Sequence, residues 1–189
     1  MKYMSFNSSC AYAAVANMLE QYGFNTEDRM IALEMGLPYL FSCEDGVYFA
    51  GPMLQTAEWF NLYLNPRGFR MSEVVIDRGE ICAFLQDVKC AMIGIEVSEG
   101  NKHAVVFSGA EGERYRFINN KWEQADEPDT LLLSEGELLG RPDETVAAAT
   151  LQKTEASDVD MKRHLEKSAE VLTRMKRDLD SFCSTVRQP

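Results

Sequence analysis

The sequence predicts an α+β fold, in which N-terminal helices pack on an antiparallel β-sheet and an amphipathic helix follows at the C-terminus. Three observations predict it. A stretch near the start is rich in alanine and helical in the spacing of its apolar residues, and the middle of the chain is rich in β-forming residues separated by turn dipeptides. Residues 157–186 then carry an apolar stripe at helical spacing, which must be buried against another surface.

The clearest predicted helix is CAYAAVANMLEQY, from Cys10 to Tyr22. Ser9 precedes it, which suits an N-cap, and Gly23 follows it, which suits a helix end. The stretch from Pro38 to Pro52 is marked by glycine and proline and is predicted to be a loop, in a position to line a cleft. Further helical segments are predicted at Thr26 to Glu34 with Thr26 as N-cap, at Thr56 to Leu64, at Arg78 to Lys89, and at Ser134 to Leu139 with a capping box between Ser134 and Glu137.

Antiparallel strands are predicted in the middle of the chain. Ala91 to Val97, His103 to Phe107 and Arg114 to Asn119 are rich in β-forming residues. The turn dipeptides Glu99-Gly100 and Glu111-Gly112 separate them, so the three strands form a meander. Outlying strands are predicted at Phe69 to Ile76 and at Val146 to Leu151.

The chain divides near Lys153 into a core domain, residues 1–153, and a linker with an amphipathic helix, residues 154–189. Docking on the chain's own domain is the expected fate of that helix, with homodimerisation or binding of a partner protein as the alternatives. Its apolar positions step by three and four around a polar Ser168, and they are Met161, Leu165, Leu172, Met175, Leu179, Phe182 and Val186.

Composition and charge exclude several classes of function. A chain of 189 residues with 46% hydrophobic and 26% charged residues is expected to fold as a globular protein. The net charge of -11 and the lack of a Lys and Arg cluster argue against nucleic acid as a partner. No signal peptide and no apolar run of membrane-spanning length occurs, so we expect a cytoplasmic protein with no membrane partner. Its five scattered cysteines lack CxxC spacing, and we expect no metal and no cofactor.

Cys10 is the candidate nucleophile. A cysteine in the first turn of a helix has its thiolate favoured by the unpaired N–H groups and the partial positive charge there. A thiolate also needs a proton donor for the leaving group, and the chain has two histidines. His164 lies on the charged tail, whereas His103 begins an apolar strand, so His103 is the candidate base. The other four cysteines are interpreted as packing residues.

A third group is expected to fix the tautomer of the imidazole. The next strand ends at Asn119 and Asn120, and strand alternation sends these two side chains to opposite faces, so that one of them can meet His103. Both stay open, with Asn119 slightly favoured. Trp122 follows and is in a position to shield this hydrogen bond from water at the substrate-binding side. The acidic residues beyond it are interpreted as a solvated loop, with attraction of a basic substrate as the alternative, and they are Glu123, Asp126, Glu127 and Asp129.

Two segments carry a resemblance to a known family. NSSCAYAAVANMLEQYG resembles the nucleophile helix of the papain-like double-glycine peptidases that process bacteriocins, and HAVVFSGAEGERYRFINN resembles their histidine strand, turn and third-residue strand. The segment DEPDTLLLSEGELL is similar to their closing helix. The resemblance implies a papain-like fold with a Cys-His-Asn site. The same helix pattern also resembles the N-terminal domain of the butirosin-type acyltransferases, which move an acyl group from a carrier protein to an amine.

The sequence departs from that family at two positions near the nucleophile. Met4 stands where such peptidases usually carry a glutamine that donates to the oxyanion, and Ala11 stands where they tend to have glycine. The backbone N–H of Cys10 together with Asn7 or Ser8 is predicted to substitute for that donor. The resemblance implies hydrolysis of a peptide or amide through a covalent thioester. The alternatives are acyl transfer to an amine, with a peptide or acyl-carrier substrate in either case, and a catalytically idle binding domain.

Overall fold

A computed structural model of the chain describes residues 1–5, 9–98, 101–141 and 143–186. The predicted α+β class is confirmed. The helices are α1 (Cys10–Glu20), α2 (Asp28–Glu34), α3 (Ala57–Leu64), α4 (Ile81–Gln86), α5 (Glu135–Leu139) and α6 (Met161–Val186). The strands are β1 (Phe41–Glu44), β2 (Val47–Ala50), β3 (Phe69–Asp77), β4 (Ala91–Ser98), β5 (Asn101–Glu111), β6 (Arg114–Asn119), β7 (Thr130–Ser134) and β8 (Thr145–Lys153).

Six strands form one antiparallel sheet in the order β3-β8-β4-β5-β6-β7. The predicted meander of β4, β5 and β6 is confirmed, and the turn at Glu111-Gly112 joins its last two strands. The other predicted turn, Glu99-Gly100, lies outside the described residues. In the β5–β6 register Val105 pairs with Asn119. Because side chains alternate along a strand, His103 and Asn119 belong to the same face of the sheet as diagonal neighbours.

The sheet has an apolar core on each of its two faces. On one face α1 and α3 pack over residues that include Val106 and Ile118. On the other face α4 and α5 pack over residues that include Val105 and Phe117. Alternate residues of the same strands therefore serve opposite cores, as the twofold period of a strand requires. Nine of the eleven residues of α1 are buried, which explains why this helix is alanine-rich and has no charged face.

Several predicted elements are wrong in type or extent. The predicted loop from Pro38 to Pro52 contains the β1–β2 hairpin, whose tight turn at Asp45 and Gly46 places both residues at positive φ. Thr26 is not the N-cap of α2, because its hydroxyl hydrogen-bonds the Tyr63 hydroxyl at 2.9 Å.

Three further elements lie near the predicted positions. The segment that resembles a closing helix contains strand β7 in its middle, and only its last five residues form the helix α5. The predicted capping box between Ser134 and Glu137 is confirmed at the start of α5. The helix expected from Arg78 to Lys89 is shorter, a 3₁₀ turn followed by α4.

The tail helix docks on the β1–β2 hairpin of its own chain. Ser168 is 1% exposed, and its Oγ accepts a hydrogen bond of 3.0 Å from the backbone N–H of Phe41. The Tyr48 hydroxyl on β2 donates to Asp178, and the ring of His164 meets Trp59 on α3 edge-on. The expected docking is therefore seen on one face of α6. Homodimerisation stays a prediction, for which exposed apolar residues are present, namely Leu165, Leu172, Leu179 and Phe182.

Candidate active site

Cys10 is the first residue of α1, and its side chain is half-buried. Ser9 occupies the N-cap position in an extended conformation but makes no side-chain capping bond, so the first-turn N–H groups of α1 are not capped by it. The unpaired N–H groups give this end of the helix a partial positive charge next to the thiol. Within the described residues the Oγ of Ser9 is buried and has no hydrogen-bond partner.

His103 is the third residue of β5 and pairs with Ile95 of β4. Burial lowers the pKa of its imidazole below the usual range of histidine. The charge of Glu127, the backbone carbonyl of Asn120 and the side chain of Asn119 each act in the opposite direction and raise this pKa. Burial thus favours the neutral imidazole, whereas these three neighbours favour its protonated form.

The side chain of Asn119 is oriented by bonds to its nitrogen. Its Nδ2 donates to Oε2 of Glu127 at 3.2 Å and to the carbonyl oxygen of Pro128 at 3.0 Å. Both N–H donors are therefore used on the loop side, and Oδ1 is left for another partner. Over the described part of the chain, Oδ1 of Asn119 and Nε2 of His103 are both buried without a hydrogen bond of normal length and angle. The interaction of these two side chains nevertheless raises the pKa of His103.

Asn120 is committed to a different role. Its Nδ2 donates to the carbonyl oxygen of Ala104 at 2.7 Å, and its Oδ1 accepts from Nδ2 of Asn17 on α1 at 2.8 Å. The side chain is fully buried between the helix and the sheet. Asn120 therefore ties the helix that begins with Cys10 to the strand that carries His103, and its backbone carbonyl is the part that faces the imidazole.

A cavity of about 470 Å³ lies between the start of α1 and the sheet. Ala11, which follows Cys10, and Ala104, which follows His103, both line it. The floor is made by small residues, since Gly94 pairs with Ala104 and both line the cavity together with Ala147 of β8. A Cβ added at Gly94 would meet no atom within 4 Å, so the missing side chain leaves open space. Among the polar residues of the lining are Glu73 and Gln55.

The remaining predicted site residues are less clearly placed. Asn7 and Ser8, the predicted oxyanion donors, lie outside the described residues. Trp122 follows the asparagine pair as expected and is 38% exposed. Its backbone forms an isolated parallel bridge with Met4, the residue at the position of the family's usual glutamine. The shielding role of Trp122 stays a prediction.

The acidic residues lie on an exposed loop, as predicted, and two of them also bind other side chains. Glu127 binds the Asn119 amide, and Asp129 accepts from the Tyr3 hydroxyl at 2.9 Å and forms an ion pair with Lys121 at 3.1 Å. These contacts form because the loop folds back on β6, and no local sequence pattern predicts that loop conformation. The available indication in the sequence was that acidic residues follow Asn119 and Asn120 within a few positions.

No group of three or more His, Cys, Asp or Glu side chains that suits a metal ion occurs in the portion of the chain that the structure describes. None of its described helices is both long and apolar enough to cross a membrane. All five cysteines are free. The groups that the candidate site offers for chemistry are a thiol, an imidazole, two amides and a carboxylate.

A scan against protein-family models and a search of curated proteins find no match to the chain. Among solved structures, it is similar to the peptidase domain of Streptococcus ComA, a bifunctional ABC transporter involved in a quorum-sensing pathway. The identity is 11% and the TM-score 0.53, over 79% of this chain and 96% of that one. The chain therefore has the papain-like peptidase fold, as the resemblance implied.

Two other solved structures are similar to a lesser degree. One is a C39-like peptidase from Bacillus anthracis, at 14% identity and a TM-score of 0.44 over 82% of this chain and 96% of that one. The other is the Pseudomonas avirulence protein AvrPphB, at 10% identity and a TM-score of 0.30 over 53% of this chain and 61% of that one.

Proposed function

We propose that the protein is a cysteine-dependent acyl-transfer enzyme that hydrolyses a peptide or amide. Cys10 is the nucleophile, His103 the general acid and base, and Asn119 the residue that orients the imidazole. The observation that carries the proposal is that His103 and Asn119, whose Nε2 and Oδ1 atoms are buried, lie as diagonal neighbours on one face of the sheet, in a papain-like fold whose helix α1 begins with Cys10. Asn119 is preferred to Asn120 because the Asn120 amide is used between α1 and β5.

The chemistry proceeds in two steps. The Cys10 thiolate attacks the carbonyl carbon, the C–N bond breaks, and the His103 imidazolium gives its proton to the leaving amine. A thioester on Cys10 results. A water molecule, which loses its proton to His103, then attacks the thioester and releases the acid and the thiolate. The burial that lowers the pKa of His103 supports the second step, because a neutral imidazole is the form that acts as a base.

The cavity supports an apolar acyl portion of the substrate. Its floor at Gly94, Ala104 and Ala147 presents no charged side chain, and the backbone groups of these strand residues are turned toward the neighbouring strands. An aliphatic group next to the reacting carbonyl gains from burial there, at roughly 0.8 kcal/mol for each buried methylene. The same feature favours acyl transfer to an amine as a second candidate, because a thioester-linked aliphatic chain would occupy the same floor.

Alkylation of the native protein tests the nucleophile. We expect iodoacetamide to label Cys10 faster than Cys183, although Cys10 is half-buried and Cys183 is exposed. In His103→Ala the labelling of Cys10 should fall by about 10² or more while Cys183 reacts as before. Mass spectrometry of tryptic peptides measures both rates in one sample. Labelling of Cys10 that is slower than that of Cys183, or indifferent to His103, contradicts the proposal.

A second measurement separates hydrolysis from transfer. The native protein is mixed with the 4-nitrophenyl ester of octanoic acid, and the acyl adduct is located by intact mass and peptide mapping. We expect the adduct on Cys10 and its absence in Cys10→Ala. Added glycinamide then competes with water for the thioester: free octanoic acid as the main product supports a hydrolase, whereas octanoyl-glycinamide supports an acyltransferase.

A further inference from the structure

We propose that Glu127 is a fourth member of this site, a positioning residue that holds the Asn119 amide toward the imidazole and stabilises the imidazolium by its charge. The inference rests on the proposed function for the roles of His103 and Asn119. It adds to the site a carboxylate from the loop that follows β6.

The contacts of Glu127 fix the orientation of the Asn119 amide. An asparagine side chain can be turned over, with its oxygen and nitrogen exchanged, unless its neighbours distinguish the two ends. A carboxylate accepts hydrogen bonds and cannot donate them, so Oε2 of Glu127, 3.2 Å from the Asn119 nitrogen, selects one orientation. The Pro128 carbonyl at 3.0 Å selects the same one. Oδ1 is thereby directed away from the loop, as an acceptor for the imidazole must be.

Glu127 also acts on the imidazole through its negative charge. Asn119 carries no charge, so unlike an aspartate at the third position it cannot by itself offset the loss of water around a protonated histidine. Glu127 supplies a negative charge one side chain further away, and its field raises the pKa of His103 against the effect of burial. In this site Asn119 orients the imidazole and Glu127 supplies the negative charge. A single aspartate at the third position would combine these two roles.

Glu127 is the charged side chain that acts on the imidazole, because its other neighbours are uncharged or already paired. From β4 the paired residue is Ile95, which is apolar, and from the end of β6 the neighbours are the amides of Asn119 and Asn120. Lys121, the next residue after the asparagine pair, is 5% exposed and is bound to Asp129, so its charge is compensated locally.

The test uses the full-length protein and two charge-neutralising variants of the same loop. Glu127→Gln keeps an oxygen acceptor for Asn119 and removes the charge, and Glu123→Gln removes the same charge from a residue that does not contact Asn119. The titration of His103 is followed by NMR of the imidazole, with His164 as the internal reference. We expect the midpoint of His103 to move to lower pH in Glu127→Gln alone, and this difference to shrink in molar salt because the carboxylate is solvent-exposed.

Glu127→Ala separates orientation from charge, because it removes the acceptor as well. We expect Cys10 alkylation to be slower in Glu127→Ala than in Glu127→Gln by several-fold, with the unfolding midpoint in urea unchanged in both. A His103 midpoint in Glu127→Gln equal to that in Glu123→Gln overturns the inference. The titration is independent of whether Cys10 reacts, so an unreactive Cys10 with a shifted His103 would refute the proposed function and leave the role of Glu127 intact.

Discussion

Asn17 on α1 and Asn120 beyond β6 share a buried hydrogen bond of 2.8 Å, from Nδ2 of the first to Oδ1 of the second. The nitrogen of Asn120 continues the chain of bonds to the carbonyl of Ala104. The helix of the candidate nucleophile and the strand of the candidate base are therefore tied together through the protein interior. Their relative position does not depend on exposed loops, which gives the candidate site the rigidity that the proposed acyl transfer requires.

Replacing Asn119 and Asn120 one at a time should separate orientation from structure. Asn119→Ala removes the acceptor for the imidazole, and we expect Cys10 alkylation to slow by about ten- to hundredfold, the rate equivalent of one hydrogen bond to a charged group. Asn120→Ala orphans buried groups on Asn17 and Ala104 and should lower the free energy of unfolding by about 1–3 kcal/mol. Urea unfolding and the alkylation rate, both measured on each variant, check this. Equal effects of the two variants on both readouts would contradict it.

Gly94→Leu should block the cavity without disturbing the fold. The added Cβ meets no atom within 4 Å, and Gly94 has no positive φ that a side chain would strain. We expect the iodoacetamide reaction of Cys10 to stay within about twofold of native, because that reagent is small, while acylation by the octanoyl ester falls by about tenfold or more. The acetyl ester is the matched control and should react as with the native protein. A parallel loss with both esters would show that the leucine acts on the site and not on the cavity.

Cys90 should make the protein less stable at alkaline pH. Burial raises the pKa of its thiol from 9.0 to about 11, so the native state keeps a proton that the unfolded state releases between these values. The contribution is complete below pH 9 and is lost as pH rises toward 11, by roughly 2–3 kcal/mol at most. Urea unfolding at about pH 8 and about pH 10.5 should show a smaller alkaline loss in Cys90→Ala than in Cys183→Ala, which removes an exposed thiol. The same alkaline loss in both variants would refute it.

Ser168→Ala should loosen the contact of α6 with the β1–β2 hairpin. The variant deprives the Phe41 N–H of its acceptor, and we expect a loss of about 1–3 kcal/mol in the free energy of unfolding, together with faster hydrogen exchange at Phe41. Thr173→Ala is the control, because its hydroxyl bonds the Ala169 carbonyl within the helix and faces solvent. If both variants unfold at the same urea concentration, Ser168 does not secure the helix.

Much of the fold could be predicted from local pattern. The helix at Cys10, the strand at Arg114 to Asn119 and the capping box at Ser134 each depend on residues that are neighbours in sequence, and each is found within a few residues of its predicted bounds. The insertion of β8 between β3 and β4 could not be predicted in the same way. It is decided by which strand edges remain free after the meander has formed, and no short sequence pattern records that.

The candidate site, like the fold, could be predicted from the sequence only in part. Cys10 and His103 could be proposed from residue type and position, whereas the choice between Asn119 and Asn120 needed the strand register and the partners of each amide. Glu127 could not be selected among the acidic residues of its loop, because a loop without periodicity gives no indication of which carboxylate reaches Asn119. Contacts of this kind join residues that are close in space but follow no local sequence pattern.

The hairpin under α6 makes the tail more than an appendage. A two-stranded sheet that stands apart from the main one is marginal in water by itself, and the side chain that anchors it comes from a residue 127 positions further along the chain. Residues 41–50 therefore remain incomplete until the last helix has been synthesised. A protein shortened at Lys153 to isolate the papain-like domain would leave the β1–β2 hairpin without its packing partner, and its behaviour would report on the missing helix as much as on that domain.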